Sequence, residues 1–285
     1  MSHAPEIKAI KSTMKSTWEA GDYGTFATYM EPGAIEIFMT WNIGPGQQML
    51  DVGCGAGQIS IPAAKNGVRV TGVDIASNLL TQACSRAQAE GLDAQFKEGD
   101  AEQLCFPDAS FDVVVSLIGA MFAPRPEKVA AEILRVCRPG GKIIMGNWTP
   151  QSLPGQMFKT IGKYLPPPPD VPSPPLWGDE DTARHRFSEG TSSLTLTRRH
   201  YPSWTYPFAV AQVVEFFGQY FGPVHRAFTV LQESAKSELR QDLEHLFAQF
   251  NEATDGTTSL KGEYLEIVAT RSTEQPKESV ENSSK

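Results

Sequence analysis

The chain is poor in the features that would tie it to a membrane, an oxidising compartment or a nucleic acid. No apolar run approaches the roughly 20 residues a membrane helix requires, and Met1 to Lys15 carries charges where a secretory leader would be apolar, so a cytoplasmic protein is expected. Only four cysteines occur among 285 residues, at 54, 84, 105 and 137. Their spacing lacks C-x-x-C, so neither a metal site nor a disulfide is expected, and all four are read as packed thiols. Basic residues number 25 against 33 acidic ones, a formal net charge of −8. That balance argues against sequence-independent binding to nucleic acid or anionic lipid, which requires cations to displace counterions. No internal repeat is visible. What is present is ordinary globular material: 40% hydrophobic and 20% charged residues, enough for one generous α/β domain with additions.

Between Gln48 and Thr149, short β-branched runs alternate with helical stretches, the pattern of βαβ units around a parallel sheet. Strands are expected at 48–52, 68–74, 94–99, 111–116 and 141–148. Helices are expected at 59–65, from Ser77 as N-cap to Gly91 as C-cap, and at 127–137, the last closed by Arg138-Pro-Gly-Gly. From Pro150 to Gly190 the rhythm breaks. Pro166 to Pro169, Pro172, Pro174 and Pro175 argue against regular helix or central strand, so this segment is read as an insertion over the site. A strand over 193–206, helices over 208–220 and 233–251, and a strand over 264–270 follow. The divisions are therefore 1–46, an N-terminal helical cap; 47–149, the α/β core; 150–192, the Pro-rich insertion; 193–271, completion of the sheet with C-terminal helices; and 272–285, a polar tail expected to be disordered.

The strongest chemical signal is Asp51-Val-Gly-Cys-Gly-Ala-Gly, a glycine-rich turn between a strand and a helix. Gly53, Gly55 and Gly57 permit a tight turn and close approach of a ligand, and the helix behind them offers free N–H groups to a carboxylate or phosphate. The nicotinamide fingerprint G-x-G-x-x-G/A fails here, because its sixth position is Gln58. Asp74 closes the second strand about 20 residues on, where an acid can accept both hydroxyls of a ribose. Asp100, in Gly99-Asp100-Ala101-Glu102, ends the third strand at the same sheet edge. Its spacing suits either an exocyclic amine ligand or a helix N-cap.

These residues resemble the class I S-adenosylmethionine-dependent methyltransferases, in particular the small-molecule branch typified by ubiquinone and menaquinone biosynthesis enzymes. The resemblance covers roughly Gln47 to Trp148. It rests on Leu50-Asp-Val-Gly-Cys-Gly-Ala-Gly, Val70-Thr-Gly-Val-Asp-Ile-Ala, Gly99 to Ser116, and Leu134-Arg-Val-Cys-Arg-Pro-Gly-Gly-Lys. It implies a doubly wound, mostly parallel seven-stranded Rossmann-like sheet that binds S-adenosyl-L-methionine and releases S-adenosyl-L-homocysteine. By that likeness Gly53, Gly55 and Gly57 face the methionine part, Asp51 helps hold its amino group, and Asp74, with Ile75 beside it, binds the ribose. Asp100, Ala101 and Glu102 surround the adenine, and Ser116 and Leu117 lie beside the reacting methyl. The chain departs from the Asn/Asp-Pro-Pro-Tyr pattern of enzymes that methylate DNA or glutamine nitrogen, reading Ser116-Leu-Ile-Gly-Ala-Met-Phe-Ala-Pro instead, and its scattered cysteines do not match the arsenite methyltransferases.

A small-molecule acceptor is therefore expected, with no catalytic metal and no covalent nucleophile, because a sulfonium methyl is already electrophilic. His185, His200, His225, Tyr23 and Tyr29 are candidates for a base, none favoured by spacing. Met121 and Phe122 are either pocket wall or core. Leu165, Leu176, Trp177 and Phe187 of the insertion, with Trp18, Tyr23, Phe26 and Tyr29, are expected to wall the acceptor pocket. Two further readings stay open: a protein that binds the cofactor or its product without transfer, and a nicotinamide-dependent oxidoreductase.

Overall fold

The apolar runs of the core form strands, the central ones covered on both faces and the two at the sheet edges largely exposed. In the computed structural model, which describes residues 4–273, these are β1 (Gln48–Val52), β2 (Arg69–Asp74), β3 (Ala94–Glu98), β4 (Phe111–Leu117) and β5 (Cys137–Trp148), followed by β6 (Thr191–His200) and β7 (Glu263–Arg271). Met49, Leu50, Val52, Val114 and Val115 at the centre are wholly buried. The strand order is β3-β2-β1-β4-β5-β7-β6, with β1 to β5 parallel and β7 antiparallel to both β5 and β6. The order reverses between β1 and β4, which opens a crevice at the strand C-termini. Of the tail expected over 272–285, residues 274–285 lie outside the described residues. No helix among the described residues is long and apolar enough to cross a membrane.

Three helices precede the sheet: α1 (Ala4–Glu19), α2 (Tyr23–Ala27) and α3 (Glu31–Thr40). The crossovers carry α4 (Ser60–Lys65), α5 (Ser77–Ala89) and α6 (Pro126–Val136). Ser77 does not cap α5, as the sequence suggested. Ala76 holds the cap position, and Ser77 donates both its N–H and its hydroxyl to Glu19 of α1, at 3.1 and 2.8 Å, so α1 supplies the capping carboxylate. Gly91 does end the helix, at φ +65°, with Leu92 N–H reaching back to the Ala87 carbonyl at 2.9 Å. After α6, Cys137 passes directly into β5, so Arg138-Pro-Gly-Gly belongs to a strand and not to a helix stop.

The insertion contains more helix than its prolines suggested. Here α7 (Leu153–Tyr164) starts at Ser152, whose hydroxyl accepts from Gly155 N–H at 3.2 Å, with Pro154 in the first turn where no N–H is needed. The proline run begins only after Leu165, so it terminates the helix instead of forbidding it. A 3₁₀ turn (Pro174–Gly178) and α8 (Glu180–Arg186) complete the segment. Between β6 and β7 lie α9 (Val210–Tyr220), α10 (Gly222–Val230) and α11 (Glu233–Phe250). Gly222-Pro223 starts α10, a helix the sequence analysis did not expect, with Pro223 in the first turn where no N–H is needed. The strand expected over 193–206 stops at His200, and Thr205–Tyr206 pairs separately with Thr258–Ser259. Of the four thiols, Cys54 and Cys137 are buried but Cys84 and Cys105 are exposed, correcting the expectation that all are packed.

Candidate active site

Immediately after β1 the backbone turns through Gly53, Gly55 and Gly57 at φ +74°, +52° and +89°, a region costly to any residue with a Cβ. Gly53 and Cys54 N–H donate to the Val73 carbonyl at 2.7 and 3.1 Å, which ties the turn to β2. A Cβ at Gly53 would come within 2.6 Å of Gly119 Cα, and one at Gly119 within 2.4 Å of Gly53 O. The glycine turn and the loop after β4 thus meet backbone to backbone. That loop begins with Ile118 at φ +57°, a strained conformation for a β-branched residue.

Two carboxylates flank the turn, Asp51 buried and Asp74 half-buried. Asp74, ending β2, accepts Gly55 N–H at 2.8 Å and Ala76 N–H at 2.9 Å. Burial raises its carboxyl pKa against the opposing pull of those donors. Asp51 is 2% exposed and accepts the Ser60 hydroxyl at 2.7 Å. Burial pushes its carboxyl up to about 7; the Ser60 bond opposes the shift and the Asp74 charge adds to it.

Both carboxylates open on a cavity at the C-terminal edge of β1, β2 and β4. Of the residues read from sequence, Asp51, Gly53, Gly55, Asp74, Ile75, Ala101 and Leu117 lie on its wall. Gly57, Asp100, Glu102 and Ser116 do not. A Cβ at Gly57 would point at Ile61 and Ala83, so this glycine serves helix packing. Asp100 accepts Glu102 N–H at 2.9 Å in a local turn, and no helix follows it before β4, so it is not the helix N-cap that its spacing also allowed. Glu102, 5% exposed, is bound by Lys11 and Arg125. Ser116 donates to Val52 O at 2.6 Å and accepts Ala120 N–H at 2.9 Å, fixing the loop from behind.

The far wall comes from the N-terminal helices. On α1, Lys11 pairs with Asp100 and Glu102, Lys15 donates to Ile75 O at 2.7 Å, and Glu19 binds Ser77, so one helix face straps α1 across the β2 and β3 ends. Met14 and Trp18 of α1, Tyr23 and Ala27 of α2, and Met30 face the cavity. Sequence reasoning named Trp18 and Tyr23 but missed Lys11, Met14 and Met30; the i, i+3, i+4, i+7 spacing of Lys11, Met14, Lys15 and Trp18 was the available signal. Tyr201, just beyond β6, also reaches the wall and donates to Met30 O at 2.9 Å. Nothing in the sequence brought it there.

No residue of 150–192 is on the wall, which corrects its reading as the roof. Trp177 and Phe187 are each 1% exposed and pack against one another, with the Arg186 guanidinium 4.4 Å over the Trp177 ring. Leu165 and Leu176 also lie off the wall. Phe158 of α7 backs Phe122, which does line the cavity, at 5.6 Å between rings. Met121, 1% exposed, is core. Phe26 and Tyr29 pack against the aromatics of α9. Of the candidate bases, Tyr23 alone is on the wall; His185 and His200 are exposed elsewhere, and His225 Nδ1 lies 3.0 Å from Gly218 O.

A seven-stranded sheet with a reversed seventh strand, a glycine turn after β1 and an acid ending β2 together define the Rossmann-like fold of class I methyltransferases. The Methyltransferase domain family matches residues 50–145. An uncharacterized protein of Mycobacterium tuberculosis is 36% identical over 270 residues, covering 93% of this chain and 97% of that protein. Among solved structures, a putative methyltransferase from Bacillus halodurans superposes with a TM-score of 0.56 at 20% identity, over 84% of this chain and 99% of that one. A phosphoethanolamine N-methyltransferase from Haemonchus contortus, solved with S-adenosylhomocysteine, gives 0.53 at 20% identity, over 84% of this chain and 52% of that one. The chain belongs to the class I S-adenosylmethionine-dependent methyltransferases.

Proposed function

We propose that this enzyme methylates a small, largely apolar acceptor held between the N-terminal helices and the loop after β4. The observation that carries this reading is the mixed wall of one cavity: a glycine turn with the carboxylates of Asp51 and Asp74 on the sheet side, and Met14, Trp18, Tyr23, Met30 and Phe122 on the other. The residues present suit the cofactor. Gly53 and Gly55 leave backbone free to approach a ligand, Asp74 keeps lone pairs beyond its two N–H bonds, and Ile75, Leu79 and Ala101 offer an apolar bed for a purine.

In this reading Asp74 accepts the ribose hydroxyls, and Asp51 with Gly53 and Gly55 holds the methionine part, while Gly57 lets the turn pack against the helix behind it. The Ala101 N–H reads the adenine, while Asp100 and Glu102 act through Lys11, and Leu117, shaped by Ser116, lies beside the reacting centre. The cofactor when bound supplies a methyl group already activated on sulfur. The chain's own work is alignment and exclusion of water; positioning alone accounts for about 7–11 kcal/mol of barrier reduction in well-oriented systems. The test is calorimetry with S-adenosylhomocysteine, then transfer of labelled methyl across phenols, quinols, amines, thiols and carboxylates. The panel includes the aromatic class suggested by the resemblance to quinone-biosynthesis enzymes. Saturable binding and labelling of at least one neutral acceptor are expected; binding without transfer to any member would refute the acceptor reading.

A further inference from the structure

The charges and protons offered by the cavity wall narrow the acceptor further, on the basis of the methyl-transfer reading above. Its titratable side chains are Lys11, Tyr23, Asp51, Cys54, Asp74 and Tyr201; among the described residues no histidine or arginine joins them. Lys11, the cation, already meets Asp100 and Glu102 at 2.5 Å each. An anionic acceptor would therefore be desolvated beside Asp51 and Asp74 with no unpaired positive side chain on the wall to receive it.

Proton acceptors are equally committed. Phenols, alcohols and thiols react well only after losing a proton. In the reading above Asp51 and Asp74 are taken up by the methionine part and the ribose hydroxyls of the cofactor, and Tyr201 donates to a carbonyl. Burial pushes the Tyr23 phenol and the Cys54 thiol upward, so both keep their protons. What the wall does offer is aromatic surface. The Trp18 ring meets Tyr23 at 5.7 Å and 87°, and Phe122 at 4.8 Å and 57°. Steeply angled rings present π faces on several sides, which favours a centre that gains positive charge.

We propose that the acceptor is an uncharged amine nitrogen on an apolar body, bound against Trp18, Tyr23 and Phe122. The nitrogen lone pair forms the new N–CH₃ bond as the S–CH₃ bond breaks, its electron pair remaining on sulfur, so positive charge passes from sulfur to nitrogen. A secondary amine then releases its N–H proton to water, and no protein base is required. The Tyr23 hydroxyl, which makes no hydrogen bond to another described residue, accepts that N–H beforehand and leaves the lone pair free.

The experiment uses four probes on one ring: N-methyl-p-toluidine, p-cresol, p-toluate and p-tolyl phosphate. Each is titrated into the full chain saturated with S-adenosylhomocysteine, and each is assayed with labelled S-adenosylmethionine. The amine should bind at least tenfold more tightly than either anion and be methylated at least tenfold faster than p-cresol. Trp18→Leu should weaken amine binding at least fivefold. Equal or tighter binding of an anion, equal or faster methylation of p-cresol, or binding of none of the four would overturn the amine assignment while the cofactor reading stands. Failure of S-adenosylhomocysteine to bind would overturn the methyl-transfer reading, and the acceptor class with it.

Discussion

Replacing Asp51 by asparagine should stabilise the ligand-free protein and weaken the site, and pH should separate the two effects. Asp51 is buried, and its carboxyl moves from 3.8 to about 7, chiefly through desolvation. A folded-state pKa above the unfolded one means that the folded protein holds an extra proton between about pH 4 and pH 7. Stability therefore falls as pH rises through that window, and the penalty is complete above it. About three units at about 1.4 kcal/mol each gives a penalty of about 4 kcal/mol. Asparagine removes it but leaves an amide N–H₂ without an assured partner, at about 1–3 kcal/mol. The net gain should be about 1–3 kcal/mol at pH 8 and turn into a loss of about 1–3 kcal/mol by pH 4, where the wild-type carboxyl is already neutral and only the cost of the unpaired amide remains. Urea unfolding followed by circular dichroism at both pH values measures it. Equal stability of the two proteins at pH 8, or a gain identical at both values, would refute a desolvated carboxylate at this position. Affinity for S-adenosylhomocysteine at pH 8 should meanwhile fall at least tenfold, as expected if the carboxylate receives the cofactor's ammonium group.

Asp74→Ala should weaken S-adenosylhomocysteine binding 100-fold or more in calorimetry, since two charge-assisted hydrogen bonds are worth about 1.5–3 kcal/mol each; an unchanged dissociation constant would reduce Asp74 to a turn residue. Gly53→Ala places a Cβ 2.6 Å from Gly119 Cα at a positive φ, and should lower unfolding free energy by about 2–4 kcal/mol in denaturant titration. Replacing Pro166 to Ser173 with a Gly-Ser linker should leave S-adenosylhomocysteine affinity within twofold, because none of these residues reaches the wall; a tenfold loss would restore the insertion to the site.

The sheet was legible because its determinants are local. Leu50 to Val52, Val70 to Asp74 and Val113 to Val115 are apolar runs bounded by turns, and the glycine turn and Asp74 sit where the strand ends put them. Local pattern failed where a partner distant in sequence decided the outcome. Ser77 looked like a cap, but Glu19, 58 residues earlier, does the capping. Gly119 carried no signal of its own until Gly53 met it across the loop. Proline misled in the insertion because in a first helical turn, as at Pro154, it terminates nothing. The aromatics of the insertion were assigned to the pocket by type, yet Trp177 and Phe187 pack a local core, whereas Met14 and Met30, with no distinctive motif, face the cavity.

The most direct measurement is titration of the purified full chain with S-adenosylhomocysteine, S-adenosylmethionine and NAD by calorimetry, repeated with Asp74→Ala. Saturable one-to-one binding of both sulfur ligands, a loss of 100-fold or more in the variant and no response to NAD are the expected results. Tight NAD binding with no response to either sulfur ligand would contradict the assignment of this cavity.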